Sequence, residues 1–502
     1  MRKETLAKDL NRVARIEAAA RVAGRRVTGV GIALLFLVAV WIVAAAAATG
    51  VENRLLVIVA GVIAGYMALN IGANDVANNM GPTVGARALT MLGALAVAAV
   101  FEAAGALIAG GDVVRTISKG IIDPALIGDP GTFVWAMTAA LFAAALWINL
   151  ATVVGAPVST THSVVGGVMG AGIAAAGTAA VNWPTMIKIA ASWVISPILG
   201  GVIAALFLAF LKATIIYRED KIAGAKRWVP VLVALMAGVF SAYLVMKGLK
   251  KVWRPDGWVV AAIGGAVFAA AYAILRPLVA RRAAGMENRN KSVRALFTVP
   301  LVCAAALLSF AHGANDVANA VGPLAGIVGA AASGEIAAAV TIPLWVMAVG
   351  AAGISVGLFL FGPRLIRTVG EQITKMNPMR AFCVALSAAI TVLVASTLGL
   401  PVSSTHIAVG GVFGVGFYRE WQTARRTHIN HGRVRKDPAD VAARQAALAA
   451  LEPADPVARA RYRKLVRRVH LLTIVAAWLV TVPLAALLAA GLFLGLRLVV
   501  PA

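Results

Sequence analysis

One heptapeptide, Gly-Ala-Asn-Asp-Val-Ala-Asn, occurs twice in this chain, at Gly72–Asn78 and again at Gly313–Asn319. Both copies lie where an apolar run predicts a helix that crosses a membrane. A carboxylate is costly inside hydrocarbon, so Asp75 and Asp316 are expected to bind a polar partner. Each Asp and the last Asn of its motif are three residues apart and therefore share one helix face. Their carboxylate and amide oxygens are hard ligands, which predicts a site for a cation such as Na⁺.

The glycines around this motif indicate a departure from regular helix. Gly72, Gly81, Gly313 and Gly322 flank the two copies. Glycine tolerates the backbone conformations of a broken helix, so we expect both helices to break here and to offer carbonyl oxygens to the cation. For the asparagines, an interhelical hydrogen bond that stabilises the bundle is the alternative.

A second motif is also duplicated, as Pro-Val-Ser-Thr-Thr-His at Pro157–His162 and Pro-Val-Ser-Ser-Thr-His at Pro401–His406. Proline, serine and threonine are typical of the first turn of a helix. The free N–H groups of that turn carry a partial charge of about +0.5, and the hydroxyls add rotatable donors. Two such helix starts facing each other at the bilayer centre would form a cradle for an oxyanion without Lys or Arg. The alternative is ordinary capping of a kinked helix.

Three further polar residues lie in apolar stretches. Glu102 is a candidate proton or cation site, and a carboxylate that reaches water or a partner near a helix end is the alternative. Because Ala-Ala-Gly follows both Glu102 and Gly350, we align these two positions, and Glu102 then has no acidic counterpart. His162 and His406 could titrate near neutral pH, but we expect them to pack in the first helical turn and to orient the cradle.

The composition defines the class of protein. A chain of 502 residues with 61% hydrophobic residues, 13% charged residues and a mean hydropathy of +0.87 cannot hide its apolar surface from water. We therefore predict an all-α, polytopic membrane protein. The net charge is +25, but the basic residues lie between apolar runs, which is typical of cytoplasmic loops and not of a nucleic-acid-binding protein. Cys303 and Cys383 are isolated, so neither a disulfide framework nor a metal-binding cysteine motif is expected.

The distribution of Lys and Arg places the N-terminus in the cytoplasm and predicts nine full spans and two re-entrant hairpins. The hairpins are broken at Gly155-Ala-Pro157 and at Gly399-Leu-Pro401, and they open outward and inward, respectively. Their arms are Phe133–Val153, Val158–Gly177, Ala381–Leu398 and Val402–Gly416. The full spans are Val27–Thr49, Arg54–Asp75, Ala88–Ala109, Thr185–Leu211, Trp228–Met246, Trp258–Leu275, Ala295–Ala314, Glu335–Phe361 and Leu471–Leu498.

Both motifs recur at nearly constant spacing, and the charge pattern starts the two copies on opposite sides of the membrane. This combination predicts an inverted-topology repeat with binding sites near the midplane, at the interface between the halves. The predicted segments are a cytoplasmic basic segment (1–26), an extra N-terminal transmembrane helix (27–49), transport repeat 1 (54–211), basic loops with two linking transmembrane helices (212–294), transport repeat 2 (295–416), a cytoplasmic basic segment (419–468) and a C-terminal transmembrane helix (469–500).

These paired motifs resemble the signatures of the inorganic phosphate transporter (PiT) family, and the resemblance covers roughly Leu55–Gly416. It implies a secondary symporter that moves phosphate together with Na⁺ or H⁺. One departure of the chain from the family lies before the second hairpin tip. Many members carry a Glu in a Gly-Phe-x-x-Glu-Leu pattern before the second hairpin tip, where this chain reads Ala381-Phe-Cys-Val-Ala385-Leu386. The identity of the coupling ion and the stoichiometry are therefore left open.

The resemblance also implies which residues bind the substrate and the coupling ion. Phosphate would lie between the two hairpin tips, at Ser159, Thr160, Thr161, Ser403, Ser404 and Thr405. The cations would lie beside it, at Asn74, Asp75, Asn78, Asn315, Asp316 and Asn319. Glu102 is the candidate for a further role in coupling. No cofactor and no metal other than a transported cation are expected.

The sequence thus predicts a phosphate symporter of a bacterial-type inner membrane that works by alternating access. A symporter of sulfate or another oxyanion, since the family includes sulfate carriers, and a passive anion channel are the alternatives. An intramembrane hydrolase is disfavoured because no nucleophile–base pair is defined. The oligomeric state, the role of the segment 419–468, and transport of phosphate as a metal complex are left open.

Overall fold

The computed structural model describes residues 27–51, 53–154, 158–248, 253–333, 342–368, 376–433 and 468–499. These residues form fifteen α-helices. We number them α1 (Val27–Ala47), α2 (Arg54–Gly85), α3 (Met91–Ala109), α4 (Gly111–Arg115), α5 (Pro130–Val154), α6 (Thr160–Ala176), α7 (Trp183–Leu211), α8 (Lys221–Gly248), α9 (Gly257–Arg282), α10 (Asn290–Leu296), α11 (Thr298–Ser333), α12 (Leu344–Thr368), α13 (Pro378–Thr397), α14 (Ser404–Arg433) and α15 (Arg468–Val499).

Eleven helices in the described part of the chain are long and apolar enough to cross a membrane. Nine of them correspond to the nine predicted full spans, and the other two, α5 and α13, are the first arms of the predicted hairpins. The prediction of an all-α, polytopic membrane protein is therefore confirmed. Four parts of the prediction lie outside the described residues: the segment 1–26, residues 434–467 of the segment 419–468, residues 335–341 of the span Glu335–Phe361, and the first hairpin break at 155–157.

The prediction that the helices break at the heptapeptide motif is wrong. Helices α2 and α11 run through it without interruption and are 32 and 36 residues long. The glycines serve close packing instead. A Cβ atom at Gly72 would clash with the carbonyl group of Ile354 in α12, and one at Gly313 would clash with the carbonyl group of Glu102 in α3. Glycine is needed at these two positions because a neighbouring backbone occupies the space of a side chain.

These contacts also correct the alignment of the two halves. Gly105 of α3 packs against the carbonyl of Phe310 in α11, and Gly357 of α12 packs in the same way against Leu69 in α2. In this arrangement the α12 residue that matches Glu102 is Ile354 and not Gly350. The conclusion that Glu102 has no acidic counterpart still holds.

Each hairpin packs against a helix from the other half of the sequence. Helix α7, which follows the first hairpin, packs against α13 and α14 of the second, and α15 packs against α5 and α6 of the first. Both contacts are backbone to backbone. A Cβ at Gly414 of α14 would clash with Gly201 of α7, and one at Gly170 of α6 would clash with Ala486 of α15. The halves are thus interleaved through their hairpins.

The second hairpin turns where the sequence predicts it. Helix α13 ends at Thr397, and α14 begins at Ser404. Between them Gly399 adopts a φ of +69°, a left-handed conformation that glycine reaches without strain. We call residues Leu398–Ser403 the second tip. Helix α14 then extends to Arg433, well past its predicted end at Gly416.

Because α14 and α7 are in close contact at Gly414, the addition of a single methyl group at this position should destabilise the protein. Gly414→Ala should lower the thermal unfolding temperature of the purified protein, because overpacking of this kind costs about 1–3 kcal/mol. Gly495→Ala in α15 is the matched control, since a Cβ there meets nothing within 4 Å. Equal unfolding temperatures for the two variants would contradict this packing.

Candidate binding site at the two hairpin tips

The four copies of the duplicated motifs meet at one place. The heptapeptides on α2 and α11 face the first turns of α6 and α14, and most of the polar side chains there are buried. Asp75 is 4% exposed, Asp316 is 1% exposed and Asn319 is fully buried. Residues that the sequence places more than 300 positions apart are therefore in direct contact, as the hydrogen bond between Asn78 and Thr405 shows.

Both aspartates accept hydrogen bonds from hairpin hydroxyls. Thr160 Oγ1 donates to Asp75 Oδ2 over 3.1 Å, and Ser404 Oγ donates to Asp316 Oδ2 over 2.9 Å. These bonds are equivalent in the two halves. In addition, Thr405 Oγ1 donates to Asp75 Oδ1 over 3.2 Å. The carboxylate of Asp75 therefore joins the first turns of both hairpins.

The last asparagine of each heptapeptide binds the hairpin of the other half. Asn78 Nδ2 donates to Thr405 Oγ1 over 2.7 Å. Asn319 Nδ2 donates to Thr161 Oγ1 over 3.1 Å and to Thr160 Oγ1 over 3.4 Å. Both asparagines therefore form interhelical hydrogen bonds, which was the alternative to cation binding in the sequence analysis. These bonds place both side chains beside the carboxylates.

Asn315 anchors the backbone of the second tip. Its Nδ2 donates to Ser396 Oγ over 3.0 Å and to the carbonyl of Leu400 over 3.1 Å, and its Oδ1 accepts the N–H of Val402 over 3.1 Å. Thr161 Oγ1 of the first hairpin donates to the carbonyl of Val402 over 3.0 Å, so the two hairpins also touch directly. The amide of Asn315 is thus engaged with the tip, and its role in cation binding remains a prediction.

The serines of the second motif are helix caps. Ser159 Oγ accepts the N–H of His162 over 3.3 Å, and Ser403 Oγ accepts the N–H of His406 over 3.4 Å. Capping was the alternative for these residues, and it is compatible with substrate binding, because a hydroxyl that accepts a bond keeps its own proton to donate. Asn74 directly precedes Asp75 on α2 and is partly buried.

His312 is a central residue that the sequence-based prediction missed. Its Nε2 lies 2.9 Å from Asp316 Oδ2 and 3.9 Å from Asp75 Oδ2, and its Nδ1 lies 3.2 Å from Glu102 Oε1. Asn79 Nδ2 also donates to Glu102 Oε1, over 2.9 Å. His312 and Glu102 are both fully buried. Glu102, which the sequence suggests as a candidate for coupling, therefore lies within the site. The imidazole of His312 lies between its carboxylate and those of both aspartates.

The group formed by His312, Glu102 and Asn79 occurs in one half of the chain only. A comparison of the two halves of the sequence could have revealed these residues. Three polar residues have an apolar residue at the equivalent position of the other half. The pairs are Asn79 and Ala320, Glu102 and Ile354, and His312 and Ile71. His312 directly precedes the second heptapeptide on α11.

The cluster can hold a cation. One ligand atom each from Asp75, His312 and Asp316 lies within 4.8 Å of the other two. Among the described residues, neither Asp316 Oδ1 nor Asn319 Oδ1 has a hydrogen-bond partner, so two buried oxygens remain to coordinate an ion. No Lys or Arg of the described residues lies within 4.0 Å of these carboxylates. Buried carboxylates require compensating charge, which a cation or a protonated His312 would supply.

Fold and site define a polytopic helical membrane protein with a buried polar centre next to the first turns of α6 and α14. The chain matches the Phosphate transporter family over residues 71–489, and it belongs to this family. It is 46% identical, over 97% of its length and 98% of the relative, to a Helicobacter pylori (strain J99) protein named "Putative phosphate permease". A protein of the same description from Pyrococcus horikoshii is 40% identical over 70% of this chain and 86% of the relative.

A solved structure, described as "The sodium-dependent phosphate transporter", matches with a TM-score of 0.75 and 34% identity. The match covers 89% of this chain and all of that one. The resemblance to the phosphate transporter family that the motifs predict is thus confirmed, and the chain is an integral membrane protein of that family.

The anchoring of the second tip by Asn315 can be tested by removing its amide. Asn315→Leu keeps the approximate volume but leaves the N–H of Val402 and the carbonyl of Leu400 without this partner, at a cost of about 1–3 kcal/mol for each buried group. The thermal unfolding temperature should fall. Asn70→Leu is the control, because the amide of Asn70 donates to the carbonyl of Tyr66 in its own helix. A decrease no larger than that of the control would remove the anchoring role.

Proposed function

We propose that this protein is a cation-coupled symporter of inorganic phosphate, in which phosphate and the coupling cation bind side by side at the hairpin tips. The observation that carries the proposal is the set of bonds from hairpin hydroxyls to Asp75 and Asp316. The names of its relatives and of the structural neighbour support phosphate as the substrate. We further propose a bacterial-type inner membrane, with the N-terminus in the cytoplasm.

Phosphate would bind between the first turns of α6 and α14. The ligands would be backbone N–H groups at the two helix starts together with six hydroxyls, those of Ser159, Thr160, Thr161, Ser403, Ser404 and Thr405. Helix N-termini favour anions through their free N–H groups and their dipoles. A site built from such dipoles binds phosphate without a fixed positive side chain, which favours release on the other side of the membrane.

The hydroxyls also explain how a cation would be coupled to phosphate. A hydroxyl carries one proton and can donate it to one acceptor at a time. The protons of Thr160, Thr405 and Ser404 are directed to the carboxylates of Asp75 and Asp316. A cation on these carboxylates would replace the hydroxyl donors and leave them free to turn toward phosphate. Each ligand would then strengthen the binding of the other by the same factor.

Na⁺ is the coupling ion that the oxygen-rich site favours. The carboxylates, the Asn oxygens and the name of the structural neighbour all support it. The six residues proposed to bind it are Asn74, Asp75, Asn78, Asn315, Asp316 and Asn319. A proton is the second candidate, because Glu102 lies 3.2 Å from the imidazole of His312 and these two residues could hold it.

Alternating access would arise from relative motion of the two repeats, 54–211 and 295–416, about this midplane site. The interleaved hairpins provide a physical basis. Each hairpin packs with a full span from the other half of the chain, α7 or α15. Several hydrogen bonds of the site, such as those from Asn78 to Thr405 and from Asn319 to Thr161, lie between the two repeats. Ligands bound there would therefore act directly on the contact that has to move.

Uptake of radiolabelled phosphate into proteoliposomes tests the proposal. An inward Na⁺ gradient and, separately, an inward proton gradient should be imposed, with sulfate as competitor. Accumulation against the phosphate gradient under the Na⁺ gradient is expected, and sulfate should not prevent it. Equilibration without accumulation would indicate a passive channel. Accumulation of sulfate in place of phosphate would overturn the substrate, and accumulation under the proton gradient alone would overturn Na⁺ as the coupling ion.

Replacement of either aspartate should abolish the coupling of phosphate uptake to the cation gradient. Asp75→Asn and Asp316→Asn should each reduce gradient-driven phosphate uptake to the level of empty liposomes, because the amide removes the negative charge that holds the cation. The protein should still insert into the membrane at wild-type levels. Asp256→Asn in the exposed loop before α9 is the control and should transport normally. If both site variants retain cation-driven uptake, the aspartates do not bind the coupling ion.

Removal of hydroxyl groups from the two hairpins should weaken the binding of phosphate. The double variant Ser159→Ala, Thr405→Ala should raise the phosphate KM about tenfold or more, since hydrogen bonds to a charged group contribute about 1.5–3 kcal/mol each. The matched control is Ser241→Ala with Thr214→Ala, whose hydroxyls bond to the carbonyls of Ala237 and Phe210, in each case one helical turn earlier. An unaltered KM in the site variant would leave only the capping role for Ser159.

A further inference from the structure

We propose that Trp193 is a positioning residue that fixes the spacing between the second tip and the first turn of α6 and thereby sets the affinity for phosphate. The inference rests on the proposed function. Trp193 lies on α7, the span that packs against the second hairpin, and its side chain is partly buried. It touches both hairpins, although the duplicated motifs do not include it.

The indole N–H of Trp193 holds the second tip. Its Nε1 donates to the carbonyl oxygen of Pro401 over 3.0 Å. Pro401 lies between Leu400 and Val402, whose backbone groups bond to Asn315. Three successive residues of the second tip are therefore bound by side chains from α6, α7 and α11, and two of these bonds, from Thr161 and Trp193, come from helices of the first half.

The same indole contacts the first hairpin. The ring centroids of Trp193 and His162 are 3.8 Å apart, at an interplanar angle of 32°. His162 is fully buried in the first turn of α6. Its ring in turn meets the ring of His406, edge to face, with centroids 5.2 Å apart. One side chain thus joins the break of the second hairpin to the first turn of α6.

These contacts lie next to the proposed phosphate ligands. The backbone N–H groups of His162 and His406 bond to Ser159 and Ser403, the caps of the two helices. A shift of either histidine would therefore move a cap and the hydroxyls that follow it. Hydroxyls from both hairpins must reach one anion, and a displacement of about 1 Å is enough to weaken such a site.

The chain offers a matched control on the same helix. Trp183 also donates its indole N–H to a backbone carbonyl, that of Thr178, over 3.1 Å. It lies at the start of α7, where it is 47% exposed, and its bond is local in sequence. Trp183→Phe therefore removes the same kind of hydrogen bond without affecting the tips.

The test is the kinetics of phosphate uptake by Trp193→Phe, Trp193→Leu and Trp183→Phe in proteoliposomes, beside the wild-type protein. Trp193→Phe keeps a ring against His162 but loses the N–H, so the phosphate KM should rise about fivefold, as expected for one hydrogen bond, with a maximal rate within about twofold of wild type. Trp193→Leu loses both contacts and should raise the KM further. Trp183→Phe should match the wild-type protein.

Two results would overturn the proposal while the wild-type protein accumulates phosphate. One is a wild-type KM in Trp193→Phe. The other is a fall in maximal rate and unfolding temperature with no change in KM, which would show a role in folding only. Failure of the wild-type protein itself to accumulate phosphate would instead overturn the proposed function, and the positioning role with it.

Discussion

Two carboxylates have to be accommodated in an apolar interior, and the architecture of the site follows from how this is done. Asp75 and Asp316 are almost completely buried, and a buried charge is tolerated only when it is paired and hydrogen-bonded. Their partners are hydroxyls at the first turns of two hairpins and the imidazole of His312. The hydroxyl bonds to Asp75 therefore also join the two hairpins. A cation that binds the carboxylates, or an anion that binds the hydroxyls, would therefore change both the charge balance and the contact between the halves.

The surrounding helices bring these groups close enough by removing side chains from the contacts. Glycines at the crossings of α2 with α12 and of α3 with α11 let backbones touch, and the same holds where the hairpins meet α7 and α15. This frame is nearly the same in both halves, but its centre is not. His312, Glu102 and Asn79 occur on one side only. A symmetric frame thus surrounds an asymmetric polar cluster, which gives the two aspartates different neighbours.

Much of this could be predicted from sequence, because hydropathy, charge and repeated motifs are local signals. The spans, the second hairpin turn and the meeting of the motifs follow from them. The continuity of α2 and α11 could not be predicted in this way, because glycine permits both a helix break and a close approach of two helices. Only the position of a neighbouring backbone, such as that of Ile354, decides between the two. His312 was missed because its partner Glu102 is distant in sequence. The engagement of Asn315 with the second tip likewise requires the folded positions of both.

Cation and phosphate binding are linked, in the mechanism that we propose, through shared hydroxyls. Equilibrium binding to the purified protein tests this linkage without the complications of transport. Radiolabelled phosphate should be titrated at a series of Na⁺ concentrations, with K⁺ keeping the ionic strength constant, and Na⁺ should be titrated at a series of phosphate concentrations. We expect Na⁺ to increase the affinity for phosphate, and phosphate to increase the affinity for Na⁺ by the same factor. A phosphate Kd that does not change with Na⁺ would contradict the linkage.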